Sequence, residues 1–168
     1  GLEVDVTWRA AQGLTISLDG AYLHARYDNY PGACAVGNVN CIDPLTGNAR
    51  GGRLDAVPDF TGSFNVAYNV PVSAGWELRT RGRVYYNDGA QFGPEQNPFQ
   101  RSPHYTLFDA SIGIAQSDGG FSLTLSGKNL ANKAVRAFMA PSVATAAFGY
   151  YSATLPGRQL FLDLRYDF

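Results

Sequence analysis

The sequence is short of charge, of sulfur and of long apolar runs. Of its 168 residues 16% are charged, the net charge is -1, and there are two cysteines, two histidines and one methionine. No basic cluster stands out, which argues against a nucleic-acid partner. No stretch reaches the roughly 18 apolar residues of a transmembrane helix. That absence leaves a membrane open, because a barrel strand shows only alternate residues to lipid. A G-x-S-x-G elbow is missing, and no serine stands apart from an ordinary strand residue, so an enzyme is not expected. Phosphate-cradling glycine loops are missing too: Gly119-Gly120 reads as a turn, and Gly51-Gly52 falls in an irregular stretch. No signal peptide opens the chain, and GLEVDVTW starts directly in alternation, so a mature chain or, better, a fragment is expected.

What the chain has in quantity is 19 Gly, 10 Tyr and 10 Phe. That composition suits strands and turns better than helices. Alternation predicts strands over residues 2–9, 14 to about 27, 60–72, 76–87, 105–116, from 121 onward, and through the last residues after Pro156. Short turns at Gln12-Gly13, Ser73-Ala74-Gly75 and Ser117 to Gly120 separate alternate pairs. The other connections, residues 28–58, 88–103 and 134–156, are long and irregular. Soluble domains rarely carry such loops, whereas outer-membrane barrels carry them at one end only.

The ending PGRQLFLDLRYDF sets Leu160, Leu162, Leu164, Tyr166 and Phe168 on one face and Asp163, Arg165 and Asp167 on the other. Phe161 breaks the rule. Aromatics gather near strand ends, at Trp8, Tyr22, Tyr27, Trp76, Tyr85, Tyr86, Tyr105, Phe121, Tyr166 and Phe168, where an interfacial girdle would place them. The fold expected is therefore all-β, an antiparallel up-and-down transmembrane barrel segment of about seven strands. An odd count does not close a single-chain bacterial barrel, and open edges are costly in lipid, so a larger barrel is implied. Two alternatives remain: a small stand-alone outer-membrane barrel with a structural or adhesive role, and a soluble β-sandwich binding module whose apolar face meets a second sheet.

The ending also resembles the assembly signal of outer-membrane barrels, with its C-terminal Phe168. Together with GKNLANKAV (Lys128, Asn129, Leu130), the Pro156-Gly157-Arg158 turn and the opening thirty residues, it is similar to the C-terminal region of TonB-dependent outer-membrane receptors. The run Ala131-Asn132-Lys133-Ala134-Val135 departs from the aromatic that many relatives carry after Asn-Leu. The resemblance implies that residues 1–168 are the C-terminal part of a plugged barrel of about 22 strands. It implies no enzyme activity and no resident cofactor. Uptake of a scarce small molecule (a ferric siderophore, haem, a cobalamin or an oligosaccharide) would be energised by the TonB complex through an N-terminal region absent here. Outer-membrane lipid and the barrel assembly machinery would be the other partners, in a Gram-negative outer membrane.

Three sets of residues carry candidate chemistry. Cys34 and Cys41, in an oxidising compartment and with no His nearby, read as a local disulfide rather than a metal site. His24 and His104 fall near loop-side strand ends. Each reads as an interfacial histidine before an axial haem ligand. Arg79, Arg81 and Arg83 make a stripe on the polar, lumen-facing side, with Glu77, Asp109, Asp163 and Asp167 as partners for an ion-pair network, or with an anionic substrate as the alternative.

Overall fold

The computed structural model describes residues 1–141 and 149–167. Seven long strands form one antiparallel sheet: β1 (Leu2–Ala11), β2 (Leu14–Tyr22), β3 (Phe60–Ser73), β4 (Trp76–Asn87), β7 (Tyr105–Gln116), β8 (Phe121–Lys128) and β11 (Gln159–Tyr166). Each pairs with its sequence neighbour in the sheet, in the order β1-β2-β3-β4-β7-β8-β11, so the topology is up-and-down throughout. The sheet is one layer and does not close.

Register turns the sequence alternation into two chemically distinct faces. One cross-strand row runs Val6, Leu18, Phe64, Val84; another runs Leu14, Tyr68, Thr80, Ile112, Leu125, Leu162. The opposite face carries the row Thr7, Ser17, Asn65, Arg83, Asp109 and the row Arg9, Thr15, Ala67, Arg81, Ser111, Ser126. Apolar side chains such as Leu2, Leu162 and Leu164 are 65–70% exposed, so no protein layer covers that face. No second sheet packs against that face among the described residues, which removes the sandwich alternative.

Tight turns join the strands at one end. Gly13 has φ +74°, and a Cβ there would lie 1.9 Å from the Asn69 carbonyl oxygen, so only glycine fits this crossing. At the same end Trp76 and Phe121 meet edge to face, 5.9 Å between centroids. At the other end Phe60 and Tyr86 make the corresponding pair at 6.0 Å. These two levels of aromatics bracket the apolar face, as a membrane-spanning wall requires.

The packed core lies in the long connections and hardly at all in the sheet. Cys41, Ala49, Phe92, Val135 and Met139 are buried, with Gln91, Asn97, Gln100 and Ser102 among them. Sequence alternation did not anticipate this cap. Two small hairpins build it: β5 (Ala90–Gln91) with β6 (Arg101–Ser102), and β9 (Arg136–Pro141) with β10 (Tyr150–Thr154). Both fall in stretches expected to be irregular. The second strand also stops at Tyr22 rather than near Tyr27; the Leu23 amide still donates to the Asp59 carbonyl at 2.8 Å, in register with the Tyr22–Phe60 pair. Tyr85 and Tyr105 stand on the polar face opposite the girdle, paired with each other at 6.2 Å.

Candidate functional site

The polar face and the loop cap above it form the candidate site. Along β4, Arg79, Arg81 and Arg83 occupy successive polar-face positions, opposite Gly113, Ser111 and Asp109 on β7. The expected ion-pair network is largely absent among the described residues. Arg79 pairs with Glu77, two residues away on its own strand. Asp109 instead accepts the Asn129 amide at 2.8 Å, and Asp167 takes Arg165 at 2.9 Å. Arg83 lies 5.3 Å from the Tyr85 ring centroid, and Arg81 has no acidic partner among the described residues. Lys128 reaches over the Phe161 ring at 5.8 Å, which accounts for an aromatic at a polar-face position.

Asn65, Arg81, Arg83, Asp109, Ser126 and Lys128 line a shallow depression of about 420 Å³. Its three cations outnumber the one acid. Farther along the face Asp19 accepts from Ser63 Oγ (2.6 Å) and Asn65 Nδ2 (3.0 Å), so the acid on that side is already engaged. The resulting surface offers charge to an anion from the Arg-Lys side.

The cap is held to the sheet by an ion-paired hinge that the sequence did not advertise. Arg26 donates in a bidentate fork to Asp59 (2.7 and 2.8 Å). Arg53 lies 3.4 Å from the same carboxylate through Nε, too poorly aligned to donate, and 3.3 Å from Asp88 through Nη2. Asp88 also accepts the Asp59 amide at 3.1 Å. The Arg26 hydrogen bond, reinforced by the Arg53 charge, holds the Asp59 carboxyl below its ordinary range. Burial pushes Asp55 the other way, although Tyr27 and the Gly93 amide donate to it. Tyr27 is raised in turn by burial and by the Asp55 charge.

Side chains stitch the three loops into one unit. Gln96, itself at φ +61°, accepts the Arg53 amide (3.0 Å) and donates to the Arg53 carbonyl (2.8 Å), imitating a strand pair. Asn97 donates to the Tyr150 hydroxyl, and Phe99 stacks on the Tyr150 ring at 6.0 Å. Phe92, Phe138 and Tyr151 follow as a chain of rings 6.2 and 5.9 Å apart.

The resemblance motifs meet in space. Asn129, 5% exposed and at φ +49°, accepts the Lys133 amide (2.8 Å) and donates to the carbonyls of Lys133 (2.9 Å) and Pro156 (3.2 Å). Asn132 accepts the Arg158 amide at 2.9 Å, and a Cβ on Gly157 would lie 2.8 Å from that Asn132 oxygen. Lys128 and Leu130 flank this knot, the Leu130 amide donating to the Phe108 carbonyl at 2.8 Å.

Cys34 and Cys41 face each other with Cα atoms 6.2 Å apart and their sulfurs paired, at the tip of the first loop. Next to them Asp43 accepts from Thr46 Oγ1 (2.6 Å) and from the Leu45 amide (3.0 Å), which lowers its pKa. His24 and His104 lie at loop-side strand ends, and His104 stacks on Tyr86 at 6.4 Å. No group of three or more His, Cys, Asp or Glu side chains could hold a metal among the described residues. Leu160, Leu162, Leu164 and Tyr166 share the uncovered apolar face of β11, Asp163 lies opposite them, and Phe168 lies outside the described residues.

A single antiparallel layer with one lipid-compatible face, one polar face and all long loops at one end is a segment of transmembrane β-barrel wall. Residues 1–130 match the family model described as TonB dependent receptor-like, beta-barrel, and the chain belongs to that family. Two solved structures share the fold. One is the ferric yersiniabactin uptake receptor FyuA from Yersinia pestis (18% identity, TM-score 0.76, 99% of this chain and 23% of that one). The other is the siderophore receptor PiuA from Acinetobacter baumannii (16% identity, TM-score 0.67, 98% and 21%). The chain thus spans less than a quarter of the length of either. No curated protein matches it in sequence. The family is one of receptors of the Gram-negative outer membrane.

Proposed function

We propose that residues 1–168 are the C-terminal barrel wall of a TonB-dependent transporter that imports an anionic ferric siderophore. The apolar face meets outer-membrane lipid, and the polar face with Arg79, Arg81, Arg83, Asp109 and Asp163 lines the lumen. The loop cap faces the outside. Energy arrives from the TonB complex through a region upstream of this segment, and the barrel assembly machinery inserts the chain by way of its last strand.

The observation that carries this reading is the surplus of cations around Arg81, Arg83 and Lys128, on the polar side of a wall from this family. A cobalamin or a neutral oligosaccharide gives less reason for that charge. Uptake of radioactive iron, supplied as a purified ferric siderophore to cells with and without the gene, tests it. The reading expects uptake that requires the gene and stops when a protonophore collapses the inner-membrane gradient. Uptake that persists without the gene, or without the gradient, overturns it.

A further inference from the structure

Asp109 stands directly opposite Arg83 across β4 and β7, yet no ion pair joins them among the described residues. Its Oδ1 accepts the Asn129 backbone amide at 2.8 Å, and the Arg83 guanidinium lies over the Tyr85 ring. Register explains why that amide is free to donate. Ala110 pairs with Gly127, but the next backbone bond runs from the Leu130 amide to the Phe108 carbonyl, one residue out of step. The end of β8 therefore carries one extra residue, as in a bulge, and an extra residue leaves the ladder. Asn129 is that residue: its φ is +49°, and its amide turns to the polar face.

The same asparagine is the base of the third loop. Its side chain holds the Lys133 amide and the carbonyls of Lys133 and Pro156, and nearby Asn132 accepts the Arg158 amide. The conformation that clamps the loop is thus also the one that puts an amide on Asp109. While the clamp is shut, Asp109 is held by a neutral donor, and Arg81, Arg83 and Lys128 keep their charge for an anion. Once Asn129 lets go, the half-buried carboxylate has lost its donor, and Arg83 is the cation facing it across the ladder. A carboxylate left without a donor takes a charged partner, because partial burial without one is costly.

We infer that Asp109 is a displaceable counter-ion, held off Arg83 by the Asn129 amide while the third loop is closed. Closure of the loop then raises the affinity of the cationic surface for an anion. By linkage, an anion on that surface favours the closed loop to the same degree. The link to cargo rests on the transport reading above, whereas the exchange of partners at Asp109 stands apart from it.

The test uses the full-length receptor in detergent, treated with the arginine reagent phenylglyoxal and mapped by peptide mass spectrometry. Rates at Arg83 are compared in wild type, Asn129→Ala, and the double variant Asn129→Ala with Asp109→Asn. Arg81, which faces Ser111, is the internal control. Freeing the carboxylate should slow modification of Arg83 by about threefold, within the range of an exposed ion pair. The double variant should return to the wild-type rate, a rescue that a merely structural role for Asn129 does not give. Asn129→Gly, which tolerates the positive φ, serves if the alanine variant yields no heat-modifiable barrel. In a second arm, the ferric siderophore whose uptake requires the gene should, at saturation, slow tryptic cleavage at Lys133 and Arg136 in wild type but not in Asp109→Asn.

An Arg83 that is unreactive in wild type overturns the inference, as does an equal rate in wild type and Asn129→Ala. Slowing that Asp109→Asn fails to relieve, or that Arg81 shares, overturns it too. Loop protection that is the same in Asp109→Asn removes the link to cargo. If no ferric siderophore is imported, the transport reading fails, and the Arg83 rates, which need no cargo, still decide the counter-ion.

Discussion

The Asn129 side-chain amide donates to the Pro156 carbonyl across 27 positions of sequence, at 3.2 Å. Through this bond the end of β8 and the start of β11 are tied at the base of the third loop, and the same asparagine closes a turn onto Lys133. The two motifs thus act as one clamp. Asn129→Ala removes three hydrogen bonds from a buried left-handed position. It should cost about 2–3 kcal/mol of local stability, read as faster tryptic cleavage at Lys133 and Arg136 with the barrel still heat-modifiable. Cleavage at the wild-type rate would contradict the clamp.

The loop hinge should respond to acid with two opposite signs. Asp59 is held below its ordinary pKa by Arg26, so its contribution is complete above about 3.9 and is lost as pH falls through the lower folded value. Asp55 is raised by burial, so between the ordinary value and the raised one the folded loop binds more protons. There, stability rises as pH falls. Hydrogen-exchange protection across residues 23–58, corrected for the intrinsic rate at each pH, should rise first and then fall on acidification. Asp55→Asn should erase the rise and Asp59→Asn the fall. A monotonic profile that neither variant changes counts against this pair.

A disulfide between Cys34 and Cys41 should pin the loop tip and nothing else. Reduction, or Cys34→Ser with Cys41→Ser, releases about 2.5 kcal/mol of loop-closure restraint by the chain-entropy account. Proteolysis between residues 28 and 58 should accelerate while heat-modifiability stays unchanged. Two reactive thiols in the native protein would sink the pairing.

The last residue is expected to act in assembly. Phe168→Ser should slow insertion and lower the amount of folded barrel in the outer membrane, since it removes the terminal aromatic of an alternating strand. Unchanged levels of heat-modifiable protein would remove the assembly-signal reading.

The wall was legible in the sequence because a period of two and a change of face leave a mark at every second residue. The pairings Val6–Leu18 and Phe64–Val84 follow directly once the turns at Gly13 and Gly75 are placed. The cap was not. Arg26 and Asp59 are 33 residues apart, Arg53 and Asp88 35, and no periodicity links them. The hairpin of β9 and β10 hides in Arg-Ala-Phe-Met-Ala-Pro, whose alanines and proline give a weak strand signal. The arginine stripe was visible, but not that Asp109, directly opposite Arg83, is occupied by the Asn129 amide. With Asp109 accepting the Asn129 amide, Glu77 on Arg79 and Asp167 on Arg165, a cationic surface stands where an ion-pair ladder was expected.

The account stands on this segment being part of the wall of a larger receptor. Mass spectrometry of an outer-membrane fraction, reading the length of the native polypeptide that contains these residues, tests that most directly. Because the segment covers 23% and 21% of the two matched structures, a polypeptide about four to five times as long is expected, in the membrane fraction. A mature polypeptide of 168 residues would contradict the account and require the wall to close by association of several copies.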